Sequence, residues 1–295
     1  MASRGGWFKV RVGVGLVVLA GVGIQYLRVR RAEAWRPDWR ERLDVTVLLL
    51  HGPLQDDAAR SVIERVQRDA QVGEDRPTFP ALEDWFARER ARYGGAPPVK
   101  LHLTRPLEVP DLPPAPPAAG EALSFRERYQ RTHAFLDWFA AQRARVPTRK
   151  GATVFVLFVP VPELPRIASQ HSVADRRSRS GFVFAPLTEQ GADHALIDAA
   201  HELLHLFGAS DKYDGDRCVF PQGFVEPHRE PRFPQRFAEV MAQGIPLAAG
   251  SSEQGVHYFE SMRVGVETAW EVGWIDQARR DRYYGGDVSA EPSFD

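Results

Sequence analysis

Two uninterrupted apolar runs constrain this chain most. Asp44–His51 (DVTVLLLH) and Ala152–Val159 (ATVFVLFV) are rich in β-branched, Leu and aromatic residues and have the length of strands. Neither alternates between apolar and polar positions, so each suits a strand covered on both faces, and the rest of the chain must supply that cover. Helical patterns follow. Val62, Ile63, Val66 and Ala70 recur at helical spacing after Asp56 and Asp57. Leu82, Trp85, Phe86, Glu89 and Tyr93 fall on one side of a second helix, which Gly94-Gly95 stops. Val99, Leu101 and Leu103 alternate with Lys100, His102 and Thr104, as in a strand buried on one face. Ser124 with Glu127 forms a capping box that opens a helix over 124–145, carrying Phe125, Tyr129, Leu136 and Phe139. Gly181–Ala185 (GFVFA) reads as a further short strand. Residues 109–120, with five prolines and no periodicity, read as a loop or an insertion. Strands alternating with helices place the N-terminal two-thirds in the α/β class.

Composition narrows the partners. At 295 residues, 43% hydrophobic and 26% charged, the chain is one large domain with an appendage, neither disordered throughout nor a polytopic membrane protein. Its 38 basic and 39 acidic side chains nearly cancel, so no global field steers it towards nucleic acid. The single cysteine, Cys218, excludes an intramolecular disulfide and any Cys-based zinc finger. A metal site must therefore rest on His, Asp and Glu.

The appendage is the N-terminus. Val12–Leu27 is apolar or small apart from Gln25, with Lys9 and Arg11 before it and Arg28, Arg30 and Arg31 after it. That run is shorter than the roughly 20 residues a spanning helix needs, but Trp7, Phe8 and Tyr26 extend it as interfacial anchors. We read residues 1–31 as a single N-terminal transmembrane anchor with the domain 32–295 exported beyond it. Cleavage near Ala32-Glu33-Ala34, releasing a secreted or periplasmic protein, is the alternative.

The chemistry lies further along. Asp193–Phe207 (DHALIDAAHELLHLF) is helical in pattern and ends at Gly208. Within it His201, Glu202 and His205 form H-E-x-x-H. Residues four apart on a helix share a face, so both imidazoles can converge on one ion. Glu202 then sits beside that ion without binding it and can take a proton from water activated there. Two neutral imidazoles and a carboxylate suit zinc, with a fourth position left open. A core helix whose two histidines face inward onto hydrogen-bond partners would give the same five residues. The run continues, however, through Gly208 to Asp211.

Written out, His201–Asp211 is H-E-L-L-H-L-F-G-A-S-D, which resembles the long signature H-E-x-x-H-x-x-G-x-x-H/D of the metzincin clan of zinc metallopeptidases. It departs from most of the clan at Asp211, where His is usual and some small bacterial secreted members have Asp. The resemblance implies a twisted mixed sheet with helices packed on it, an active-site helix broken at Gly208, and one Zn2+ per chain held by His201, His205 and Asp211. It also implies a methionine turn beneath the metal, for which Glu239-Val240-Met241-Ala242 is the candidate, and a last helix around Phe259–Trp274. The order of these parts fits the clan across roughly residues 41–275, whereas the helix at 124–145 and the Pro-rich loop lie outside its common core. The implied activity is hydrolysis of a peptide or protein substrate, with Glu202 as the base. A membrane-anchored domain of the same fold that binds metal or a partner without catalysis is the alternative.

Other residues have blander readings. Tyr213, His257 and Tyr258 could each donate to an oxyanion, though packing or surface placement suits any one of them better. Asp211, Asp214 and Asp216 around Lys212, Tyr213 and Gly215 do not match an EF-hand loop and read as a solvated acidic turn. Cys218 reads as an inert thiol, and His171 and His194 as incidental. The resemblance would make Gly181–Ala185 the edge strand along which an extended substrate lies. Glu226 and Glu239 compete with Asp211 as third ligand, at separations reminiscent of zinc enzymes with a glutamate ligand on a later helix.

Overall fold

The computed structural model describes residues 35–287 and 292, except 55, 72–79, 97–98, 118–119, 148–150, 168–172 and 255–260. The N-terminal apolar stretch, His171, His257 and Tyr258 lie outside the described residues. Among those described, no helix is long and apolar enough to cross a membrane.

The chain is mixed α/β. In order it forms β1 (Leu43–His51), α1 (Asp57–Gln71), α2 (Pro80–Arg92), β2 (Val99–Leu103), β3 (Leu107–Glu108), α3 (Phe125–Arg143), β4 (Ala152–Val159) and, after a 3-10 turn, α4 (Leu164–Ile167). Then come β5 (Val173–Asp175), β6 (Ser180–Pro186), α5 (Glu189–Phe207), β7 (Tyr213–Asp214), β8 (Arg217–Cys218), β9 (Ala238–Glu239), β10 (Gly244–Ala248), β11 (Ser251–Gln254) and β12 (Met262–Arg263). Two short helices, α6 (Val266–Glu271) and α7 (Gln277–Tyr284), follow. The central sheet has the order β2-β1-β4-β6-β5, with β3 also paired to β1. Every pairing in it is parallel except that of β5 with β6.

Both apolar runs are strands at the sheet centre, paired in register from Val45↔Ala152 to His51↔Phe158. Because side chains alternate across a strand, each feeds two cores. Val47, Leu49, Val154, Val156, Val183 and Ala185 face the larger core, with Trp85 and Phe86 of α2 and Leu203 and Leu206 of α5. Leu48, Leu50, Phe155, Leu157, Phe182 and Phe184 face the smaller one, which Phe135 and Phe139 of α3 cover. The capping box of α3 is present, with the Ser124 hydroxyl accepting from the Glu127 amide and Glu127 accepting from the Ser124 amide. The Pro-rich segment after β3 is irregular but not detached. Val109 is fully buried, Leu112 packs on the smaller core, and the Arg131 guanidinium donates to the Ala115 and Pro116 carbonyls.

Three expectations are corrected. Phe125 and Tyr129 are exposed, at 85% and 55%, because the inward stripe of α3 runs through Phe135, Phe139 and Gln142 instead. Gly181–Ala185 is an edge only in part: β5 pairs with Ser180–Phe182 and forms the edge there, whereas Val183–Ala185 has no strand on that side among the described residues. The last helix does not fill Phe259–Trp274, since β12 pairs with β9, Gly265 caps α6, and α6 ends before Gly273.

The N-terminal helices matter to the site because α2 grips the chain near β12. Trp85 Nε1 donates to the Met262 carbonyl at 3.0 Å, and Tyr93 Oη to that of Val264 at 2.6 Å. The buried Glu89 carboxylate accepts from the Val264 amide at 2.9 Å. These three polar tips occupy an otherwise apolar helix face because they satisfy backbone groups that the burial of this segment would strand.

The packing on the second face yields a test. Phe139 is 2% exposed, with its ring centroid 4.7 Å from that of Phe182 and 5.0 Å from those of Phe135 and Phe155. Phe139→Ala should lower stability by about 3–5 kcal/mol in urea unfolding. A loss below about 1 kcal/mol would show that α3 does not seal this face.

Candidate metal centre

Helix α5 begins four residues earlier than its apolar pattern suggests, because the Thr188 hydroxyl caps the Gly191 amide at 3.0 Å. It ends at Gly208, whose φ of 117° is one that side-chain-bearing residues rarely adopt. The Gly208 and Ala209 amides both donate back to the Leu204 carbonyl, closing the helix and turning the chain. That reversal brings Asp211 against the face that carries both imidazoles.

The result is a compact triangle. His201 Nε2 and His205 Nε2 are 3.0 Å apart, and Asp211 Oδ1 lies 3.3 Å from the first and 3.1 Å from the second. Tetrahedral coordination with bonds of roughly 2.1 Å separates its ligand atoms by about 3.4 Å, so the triangle is close to the size a metal requires. Among the described residues it is the one group of His, Cys, Asp and Glu able to hold an ion. The tautomers agree. His201 Nδ1 meets the Val240 carbonyl at 3.1 Å, and His205 Nδ1 meets that of Ala209 at 2.9 Å. A carbonyl only accepts, so each Nδ1 carries the proton and each Nε2 presents a lone pair.

Glu202 sits beside the triangle and is 1% exposed. Its Oε2 is buried without a hydrogen-bond partner. The chain makes room for it with Gly181 of β6, where an added Cβ would come within 3.1 Å of the Glu202 Cβ. Burial pushes the Glu202 carboxyl up to about 8; the His205 charge opposes this, and Asp198 and Asp211 reinforce it. Burial opposes ionisation of Asp211 too, but the two histidines beside it hold its carboxyl well below the usual range. Burial would lower His205, yet Asp211 and the Ala209 carbonyl raise it.

Met241 is fully buried in a tight turn, with the Ala242 and Gln243 amides both donating to the Glu239 carbonyl. The turn touches the triangle from two sides. Its Val240 carbonyl holds His201, and its Met241 carbonyl accepts from the Lys212 amide at 2.9 Å. Glu239 is internal to this arrangement: its carboxylate accepts from the Met241 amide, the Gly265 amide and the Thr268 hydroxyl. Burial lifts it to about 7 against those three hydrogen bonds and the Lys212 charge. Glu226 is held by the Arg236 guanidinium. Neither glutamate belongs to the triangle.

Lys212 was expected in a solvated turn and is instead 3% exposed. Its ammonium donates to the Ser210 carbonyl, the Ser210 hydroxyl and the Glu271 carboxylate, at 2.8, 2.8 and 2.6 Å. Glu271 also accepts from the Ser210 amide and hydroxyl, so Asp211 is pinned on both sides to the end of α6. Asp214 and Asp216 are exposed on the β7–β8 hairpin, as a solvated turn requires. Tyr213 is half-buried near Asp211, and burial, with the Asp211 charge beside it, raises its phenol. The Cys218 thiol is half-buried and donates to the Gly244 carbonyl at 3.5 Å, outside the triangle.

No family model and no curated protein matches this chain. Two crystal structures of wild-type OgpA from Akkermansia muciniphila are similar to it in shape. The form in P 21 21 21 has a TM-score of 0.39 at 12% identity, covering 82% of this chain and 64% of that one. The form in P 41 21 2 has a TM-score of 0.37 at 11% identity, covering 84% and 66%. The chain thus spans about two-thirds of the length of OgpA, and the functional reading rests on its own residues.

The triangle makes a discriminating prediction. Asp211→Ala should weaken zinc binding about 10-fold or more in a chelator competition, since losing a ligand costs at least as much as losing a partner behind one. Glu226→Ala and Glu239→Gln should keep the metal. Wild-type affinity in the Asp211 variant, with loss in either glutamate variant, would place the third ligand elsewhere.

Proposed function

We propose that this chain is a metzincin-type zinc peptidase, with residues 32–295 as its catalytic domain and residues 1–31 as its tether. The observation that carries the reading is the 3.0–3.3 Å triangle of His201, His205 and Asp211 with the unpartnered Oε2 of Glu202 buried beside it.

The donor set fits zinc: two imidazoles with lone pairs fixed on Nε2, one carboxylate, and an open side where Asp211 is 44% exposed. His201, His205 and Asp211 would hold the ion, which when bound lowers the pKa of water and polarises the scissile carbonyl. An aspartate in place of a third imidazole adds one negative charge and softens that effect. Glu202 removes the proton from the attacking water with Oε2 and delivers it to the amine nitrogen as the peptide C–N bond breaks. Gly181 permits this placement by leaving the floor beneath Glu202 bare. Tyr213, two residues beyond Asp211, is the one of the three candidate oxyanion donors that falls among the described residues.

Separating chemistry from metal binding tests the reading. Glu202→Gln should keep its zinc and its fold while casein hydrolysis falls about 100- to 10,000-fold. Equal turnover by the two proteins would show that Glu202 is not the base.

A further inference from the structure

The first described residues are bound to the body of the domain instead of trailing from it. The Trp35 carbonyl accepts from the Arg176 guanidinium at 3.0 Å, and the Arg179 guanidinium lies over the Trp35 ring, 4.6 Å from its centroid. Trp35 and Trp39 both meet Phe207 at the end of α5, with ring centroids 6.5 and 5.2 Å away. Trp39 Nε1 also donates to the Val272 carbonyl at 2.6 Å. Residues 35–39 are therefore fixed to the helix that carries His201 and His205.

Around this entry point the charge is one-sided. A Cβ added at Gly208 would lie 3.9 Å from Arg36 Nε and 3.7 Å from Arg176 Nη2, so both guanidiniums stand at the end of α5. The turn between β5 and β6 adds Arg177 and Arg179, both exposed, and Arg40 is exposed beside Asp38. Five arginines thus stand against two aspartates: Asp38, paired to Arg40, and Asp175, which accepts from the Arg177 and Ser178 amides. Glu41 and Arg42, next along the chain and both exposed, cancel. Over the whole chain 38 basic residues meet 39 acidic ones, so this excess is local.

The tether decides what meets that charge. In that reading Arg28, Arg30 and Arg31 end the anchor at the bilayer surface, and Trp35 follows four residues later. An extended chain covers about 3.3–3.6 Å per residue, so Trp35 stands within about 14 Å of the surface. A welded entry point leaves no slack by which the domain could move its arginines away. At that range an anionic bilayer attracts each of them, the screening length being roughly 8–10 Å. Guanidiniums also suit phosphate, and a part-buried indole suits the headgroup layer.

We infer that the face formed by Trp35, Arg36, Arg40, Arg177 and Arg179 docks on anionic phospholipid headgroups beside the tether, holding the end of α5 against the membrane. This rests on the tether reading and is independent of the chemistry assigned to Glu202.

The full chain carrying Cys218→Ser and Ser178→Cys would be labelled with a fluorophore at position 178 and reconstituted into nanodiscs of phosphatidylcholine, with or without phosphatidylglycerol. Quenching by a nitroxide on the lipid headgroup should be at least about 3-fold stronger with phosphatidylglycerol. The difference should vanish in about 1 M salt, where the screening length is about 3 Å. Arg36→Glu, Arg177→Glu and Arg179→Glu together should abolish it, whereas lysine at the same three positions should keep it, because a surface potential reads charge and not the guanidinium fork. Arg176 is left in place because it holds Trp35. Equal quenching in the two lipids, or a difference that survives the glutamate substitutions, would overturn the inference while leaving the tether. A full chain that enters neither nanodisc would overturn the tether and the inference with it.

Discussion

Two backbone carbonyls, Val240 and Ala209, govern the candidate site. Each engages the Nδ1 of one imidazole, and so each decides which nitrogen of that ring faces the open side. Without them the rings could turn or change tautomer, and the 3.0 Å approach of the two Nε2 atoms would lose its purpose. The carbonyls come from different sources. Ala209 is available because Gly208 ends α5 in a left-handed turn. Val240 is available because a turn from a segment beyond the helix is pressed beneath it.

That second carbonyl explains why so much structure lies far from the chemistry. The turn at Glu239–Gln243 stays in place because β9 pairs with β12, and β12 is gripped by Trp85, Glu89 and Tyr93 of α2. The Glu239 carboxylate ties the same turn to Gly265 and Thr268 at the start of α6. The other end of α6 holds Ser210 and Lys212 through Glu271. A short helix therefore braces both the turn under His201 and the loop that carries Asp211. The sheet supplies the floor, with Gly181 leaving space where Glu202 must lie.

The central strands were legible because continuous apolar runs have few uses in a domain of this composition. Helices α1, α2 and α5 were legible because their inward residues keep the helical period. The triangle was legible too, since H-E-x-x-H followed by Gly and Asp is short-range and each spacing has a geometric meaning. What escaped was long-range or contextual. Nothing local marks Lys212 as buried: its partner Glu271 is 59 residues away, and four flanking acidic and polar residues suggest solvent. Phe125 and Tyr129 carried aromatic weight in the sequence, but the stripe of α3 is set by where Phe155, Phe182 and Phe184 wait on the sheet. The edge position of Gly181–Ala185 came from the resemblance alone, and a three-residue strand such as β5 has too little pattern to correct it.

The central claim is that His201, His205 and Asp211 hold one zinc ion. Elemental analysis of the full-length protein, purified without chelator, combined with zinc-edge X-ray absorption, measures this most directly. The account predicts one zinc per chain with two imidazole nitrogens and oxygen at about 2.0–2.2 Å, and near-complete loss of zinc in His201→Ala or His205→Ala. Wild-type protein without stoichiometric zinc, or zinc bound through the Cys218 sulfur, would contradict it.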